Sequence, residues 1–318
     1  MTRIVSSMDE LVGNTPMLRL SFPDLPADTR LLAKLEMFNP LSSVKDRAAL
    51  GMLRAAERAG VLHPGVTVVE ATSGNTGISL AALCAVRGYR CVLVMPDNAT
   101  DERRRILRAF GAELVLSPHQ DGLVGTMARA REVAGAIPGA IYVGQDHNPD
   151  NAAAHYAGTG PEIWTATGGA VDVLVCGVGT GGTLTGTARY LKEHTDVHVV
   201  AVEPAGSPVL SGGERGPHTI YGIGGGIVQD NTDTTLIDEV LTVTDDAAAA
   251  TTVTLAKRFG LFAGVSSGAA VHAAHTVAAR PEWAGATVVT ILPDTGERYL
   301  SIWDTLSRNE NGNLERAA

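Results

Sequence analysis

The stretch Val171-Asp172-Val173-Leu174-Val175-Cys176-Gly177-Val178-Gly179-Thr180-Gly181-Gly182-Thr183 is a short apolar run that ends in a glycine turn, and the helical segment Leu184 to Lys192 follows it. A strand that breaks on glycines and feeds a helix is the repeating unit of a parallel sheet with helical crossovers. The same grammar recurs outward from it. Apolar runs at Val66 to Glu70, Cys91 to Met95, Glu113 to Leu116, Val197 to Val202 and Thr287 to Leu292 read as further strands. Gly77 to Arg87, Asp101 to Phe110, Leu123 to Ala136 and Ala247 to Phe259 carry apolar residues near helical spacing. The expected fold class is therefore α/β, with mostly parallel sheets covered by helices on both faces. Gly144 to Gly160, rich in Asn, Asp, Gly and Pro, separates two groups of these units. The expected domains are 1–148 and 149–318, with room for an early segment to cross to the other domain. The polar tail from Ser307 to Ala318 is expected to fray.

With 318 residues, 45% of them hydrophobic, the chain is long enough for a large core and about two domains. A net charge of −9 with scattered acids leaves no basic stripe for a nucleic acid. No apolar run approaches the roughly 20 residues of a membrane helix, and Met1 to Glu10 is polar, so a cytoplasmic location is expected. Cys84, Cys91 and Cys176 are odd in number, and their spacings match neither a zinc site nor a disulfide framework. They read as buried structural thiols.

Gly177 to Thr183 reads as a phosphate cradle. Glycines let the backbone approach an anion, and the amides and positive end of the following helix supply hydrogen bonds and field. Taken alone it is ambiguous. Gly177, Gly179 and Gly182 also satisfy a dinucleotide fingerprint, and Glu203 ends the next strand where such a protein places its ribose-binding acid. A nicotinamide cofactor, a phosphorylated cofactor and a structural glycine turn all remain open on this segment. In the first half, Ser42-Ser43-Val44-Lys45-Asp46-Arg47 opens an amphipathic helix. A lysine against the positive end of a helix, partly desolvated, has its pKa lowered and stays available as nucleophile or base. Thr72-Ser73-Gly74-Asn75-Thr76-Gly77 forms a second anion-binding turn. Its amides and hydroxyls suit a carboxylate, and the Asn75 amide suits a ring oxygen.

Together, Gly13-Asn14-Thr15-Pro16, Ser43-Val44-Lys45-Asp46-Arg47, Thr72 to Gly77, Gly179-Thr180-Gly181-Gly182-Thr183 and Gly264-Val265-Ser266-Ser267-Gly268 resemble, in order and spacing, the cysteine synthases, or O-acetylserine sulfhydrylases. The resemblance runs from about Leu11 to Ile302 and displaces the nicotinamide reading. It implies pyridoxal phosphate fold type II, like the tryptophan synthase β-subunit, with two sheet-and-helix domains. It also implies that Lys45 carries the cofactor as a Schiff base, that Gly179 to Thr183 hold its phosphate, that Asn75 contacts the ring hydroxyl, and that Ser266 faces the pyridine nitrogen. Thr72, Ser73, Gly74, Thr76 and Gln145 would bind the substrate carboxylate. The run Gly222 to Gly226, with Gly224 at its centre, would line the substrate entrance. A serine at the ring nitrogen makes a weaker electron sink than a carboxylate, which favours elimination over transamination.

The implied reaction is replacement at Cβ through α-aminoacrylate. O-acetylserine or O-phosphoserine is the amino-acid donor, and sulfide or another small nucleophile gives cysteine or a β-substituted alanine. A homodimer, and serine acetyltransferase as a partner, follow from the same resemblance. A minimal cystathionine β-synthase-like enzyme is the alternative within the class; an idle homologue that binds a partner lies outside it. One position departs from the pattern: Asp146 stands where the family commonly has an aromatic residue. It either alters which nucleophile or leaving group is tolerated or faces solvent. His147 and His155 lie in the same stretch with no partner ligands at metal-coordinating spacing.

Overall fold

The computed structural model describes residues 4–72 and 74–300, so the expectations for Ser73 and for the tail from Ser307 lie outside the described residues. In chain order the elements are β1 (Met17–Arg19), β2 (Arg30–Leu35), α1 (Lys45–Arg58), β3 (Thr67–Ala71), α2 (Asn75–Arg87), β4 (Arg90–Pro96), α3 (Asp101–Ala109), β5 (Glu113–Ser117), α4 (Gly122–Ala136) and β6 (Ile141–Tyr142). There follow α5 (Pro149–Ala157), α6 (Thr159–Thr167), β7 (Val173–Gly177), α7 (Gly182–Lys192), β8 (His198–Pro204), β9 (Glu239–Val243), α8 (Asp245–Phe259), α9 (Val265–Ala278) and β10 (Thr287–Leu292).

The strands form two sheets. The larger runs β1-β2-β10-β7-β8-β9, parallel except for the antiparallel β1–β2 pair; the smaller runs β5-β4-β3-β6 and is parallel throughout. The fold is α/β. Alternate residues of the central strands enter separate cores on opposite faces of the larger sheet. Val173, Val175, Val200 and Val202 pack on one side, and Leu174, Cys176, Val199 and Ala201 on the other. That is the period of two expected of strands buried on both faces, and it explains why they read as continuous apolar runs.

Each sheet has one place where successive crossovers leave in opposite directions. In the larger sheet it lies between β7 and β10, and in the smaller between β3 and β6. Loops beyond the carboxyl ends of such strand pairs are where open α/β sheets bind ligands.

Two features of the fold were not foreseen. The stretch Gly144 to Gly160 contains α5, which packs against α1 and α7 and so ties the two halves together. Asn148 caps it by accepting from the Asp150 N–H, and Pro149 sits in its first turn, where a missing N–H costs nothing. Capping and turn chemistry use the same residues, which is why no helix was read in this stretch. Strands β1, β2 and β9 were not anticipated, and β6 was expected only as a strand near Tyr142. In β2 the reason is its two charges, Arg30 at its start and Lys34 near its end; the Lys34 ammonium is buried against the Thr15 carbonyl at 2.6 Å and Glu162 at 2.7 Å.

Candidate active site

The segment before α1 is built to present one amine. Ser42 holds a left-handed φ of 61°, and the Val44 N–H donates to the Pro293 carbonyl at 2.8 Å, joining this turn to the end of β10. Of the three consecutive charges that follow, two are committed to the scaffold. Asp46 accepts from the Leu41 N–H at 2.8 Å and the Ser79 hydroxyl at 2.5 Å. Arg47 is clamped between Glu36 at 2.6 Å and Glu162 at 2.6 Å. Lys45, the first residue of α1, lines a cavity between this turn and the glycine turn that follows β7. Enclosure pushes its amine below the ordinary lysine range, while the acidic groups of Asp146, Cys176 and Asp294 pull the other way.

Around that cavity stand Asn75, Gly179, Thr180, Gly181, Thr183 and Ser266, with Cys176, Gly222 and Asp294. The glycine turn between β7 and α7 is closely packed from behind. A Cβ on Gly181, whose φ is +83°, would lie 2.1 Å from Thr232 Oγ1, and one on Gly179 would lie 2.5 Å from the Gly222 carbonyl oxygen. Any larger residue would push the turn out of place. The first-turn amides of α7 have no carbonyl partner within the helix, so the cradle offers donors and a positive dipole end to an anion. Asn151 braces it by donating from Nδ2 to Thr180 Oγ1 at 3.0 Å and to the Gln145 carbonyl at 2.8 Å. His155 lies 3.2 Å from Thr183 Oγ1, and burial drives its pKa far down, so it stays neutral beside the cradle. These residues fit a phosphorylated cofactor.

Opposite the cradle, Asn75 donates to Asp294 Oδ2 at 2.6 Å, and the Tyr299 hydroxyl donates to the same oxygen at 2.6 Å. Ser266, in the first turn of α9, is buried on the cavity wall. Thr72 and Thr76 flank the turn after β3, and Thr76 donates to Gln145 Oε1 at 2.5 Å. That bond commits the Gln145 oxygen and leaves its Nε2, 3.5 Å from the Ala71 carbonyl, as the side that can donate to an anion. Glu70 fixes the neighbouring backbone by accepting from the Ala71 N–H at 2.8 Å and the Gln145 N–H at 3.1 Å; burial raises its pKa to about 8.

Of the residues expected from sequence, Lys45, Asn75, Gly179, Thr180, Gly181, Thr183 and Ser266 share one cavity. Gly182 does not line it and packs against Asn151. Gly224 does not either: its carbonyl accepts from His218 Nε2 at 2.9 Å, while Gly222 and Ile223 of the same run reach the wall. Asp146 does not face solvent. It is 5% exposed, which overturns that half of the expectation. Glu203 is buried and already engaged by the Leu210 and Ser211 N–H groups and the Ser211 hydroxyl, so it has no ribose-binding role. Sequence reasoning missed Asp294 and Cys176. Asp294 follows the strand Thr287–Leu292 at its carboxyl end, the position where a binding residue is expected, and that was the available signal.

Residues 8–294 match the family described as pyridoxal-phosphate dependent enzyme. A cysteine synthase of Staphylococcus aureus is 44% identical over 301 residues, spanning 93% of this chain and 96% of its own. Among solved structures, the cysteine synthase of Entamoeba histolytica superposes with a TM-score of 0.93 at 40% identity, over 99% of this chain and 93% of its own. An O-ureido-L-serine synthase superposes with a TM-score of 0.90 at 42% identity, over 94% of each chain. With relatives this similar along almost its entire length, the chain belongs to the family of pyridoxal-phosphate dependent enzymes.

Proposed function

We propose that this protein replaces the β-substituent of an activated serine, O-acetylserine or O-phosphoserine, with hydrosulfide or another small nucleophile, giving cysteine or a β-substituted alanine. The observation that carries the reading is the position of Lys45 at the positive end of α1, facing an anion cradle across one cavity. Pyridoxal phosphate, when bound, supplies an aldehyde that a primary amine can join and a sink for the electrons released at the α-carbon.

In this reading the chain does the rest. The amides and hydroxyls of Gly179 to Thr183 hold the phosphate, and Asn75, steadied by Asp294, holds the ring hydroxyl. Ser266 offers a hydroxyl to the ring nitrogen, which keeps the sink weak and turns the chemistry toward loss of the β-substituent. Thr72, Thr76 and the Gln145 amide, with Ser73 and Gly74 of the same turn, bind the substrate carboxylate and orient the α-C–H toward Lys45. Lys45, whose pKa burial lowers, takes the α-proton and returns it to the same carbon after the nucleophile has entered. The division of the chain near residue 148 then separates the lysine and carboxylate turn from the phosphate cradle. The resemblance also supports a homodimer, a cytoplasmic location and serine acetyltransferase as a partner; no described helix is long and apolar enough to cross a membrane.

The test is to add O-acetylserine, O-phosphoserine and serine separately to the purified, coloured protein and follow its visible absorption, then to supply nucleophiles. One of the two activated donors is expected to change the spectrum and a nucleophile to restore it. A spectrum indifferent to all three donors would sink the proposal.

A further inference from the structure

Two buried acids act on Lys45, and one of them has no task in the scaffold. Asp146 Oδ2 and Asp294 Oδ1 are both buried without a hydrogen-bond partner, but Asp294 accepts two bonds on its other oxygen, whereas among the described residues nothing donates to the Asp146 carboxylate. The Asp146 backbone, by contrast, is fixed. The Asn231 N–H donates to the Asp146 carbonyl at 3.3 Å, and the Nδ2 groups of Asn151 and Asn231 both donate to the preceding Gln145 carbonyl at 2.8 Å. Gln145 is bonded on one side to Thr76 of the carboxylate turn, and Asn151 on the other to Thr180 of the cradle. The backbone of Asp146 is therefore fixed between the two loops that would grip substrate and cofactor. A buried carboxylate that no scaffold donor engages at either oxygen costs free energy that the fold does not recover, as expected of a group kept for a ligand.

Resting on the function proposed above, we propose that Asp146 selects a neutral nucleophile carrying an O–H or N–H proton and accepts that proton as the new bond forms. The balance is simple. The nucleophile's lone pair forms the bond to Cβ, its proton passes to an Asp146 oxygen, and Lys45 returns to Cα the proton it took from there. Asp146 then releases its proton to water. Hydrosulfide is already deprotonated, gains nothing from a base, and meets a like charge in a poorly screened site. Desolvation raises the Asp146 pKa and so strengthens it as a base, while Lys45, His147 and Arg131 oppose that rise and Asp230 reinforces it.

The experiment compares wild type, Asp146→Asn and Asp146→Phe, loaded with cofactor. O-acetylserine is added alone, and then hydroxyurea, 1,2,4-triazole or sulfide. The spectral change on donor alone reports the first half, and its reversal reports attack by each nucleophile. For Asp146→Asn the ratio of hydroxyurea to sulfide rates should fall about 100-fold, the scale of one lost general base, by loss with hydroxyurea and gain with sulfide. Triazole should follow hydroxyurea, and Asp146→Phe should move the ratio the same way. The wild-type rate with hydroxyurea should decline toward acid pH through a limb that Asp146→Asn lacks. A ratio unchanged in both variants, with the donor half intact, overturns this assignment alone, as does equal slowing with every nucleophile. A wild type that ignores every donor overturns the proposed function and this inference with it.

Discussion

Asp294 and Asp146 are both almost fully enclosed, both raised in pKa by desolvation, and both felt by Lys45. They differ in company. Asp294 receives the Asn75 amide and the Tyr299 hydroxyl on one oxygen, so it is a strut that fixes a ligand-facing asparagine. Each acid has one buried oxygen without a donor, Asp294 Oδ1 and Asp146 Oδ2, but among the described residues no donor engages the Asp146 carboxylate at either oxygen. The contrast teaches that burial alone does not mark a functional acid; what matters is whether its hydrogen bonds are used up inside the protein.

The largest test of this picture removes the amine both acids act upon. Lys45→Ala should lower turnover by about 10²- to 10⁴-fold, the range for a lost acid–base group, and abolish the donor-induced spectral change. Asp294→Ala should strand two buried donors and lower stability by about 2–3 kcal/mol in urea unfolding, with weaker cofactor retention through the loosened Asn75. A third buried acid extends the comparison to pH. Because folding raises the Glu70 pKa from 4.5 to about 8, its stabilising contribution is complete below 4.5 and is lost as pH rises toward 8. Wild type should therefore lose stability over that window with a slope of up to about 1.4 kcal/mol per pH unit from this group, and Glu70→Gln should flatten it in a pH series of unfolding curves. The smallest effect belongs to Asp146→Ala. With no donor to strand, it should change unfolding free energy by less than about 1 kcal/mol or raise it. A loss as large as that of Asp294→Ala would erase the distinction between the two acids.

Much of the fold was legible because the central strands are buried on both faces. Each of the six anticipated strands lies within two residues of its place, since β-branched runs bounded by glycine and polar turns have few other readings. Helices α2 and α7 begin two residues earlier than expected, at Asn75 and Gly182, because their first turns are the ligand loops and carry no apolar period. The motif residues were legible for the chemistry their types imply, and Lys45, Asn75, Ser266 and the glycine turn do meet at one cavity. What stayed hidden depends on pairing across the chain. Lys34 disguised β2 because its charge is neutralised by Glu162, and Asp294 gave no sign of its bond to Asn75 across 219 residues. Neither partner is visible from the local pattern.

The pairing of β2 with β10 also has a consequence for how the molecule is made. Arg30 lies opposite Thr287, a separation of 257 residues, so one of the earliest strands to leave the ribosome waits for one of the last before it gains a neighbour on that edge. Until then β1 protects only its other side, and an apolar strand with unpaired amides invites association with other nascent chains. Such long-range closure is slow, and Lys34, on that same strand, lacks its Glu162 partner until that residue too has been made.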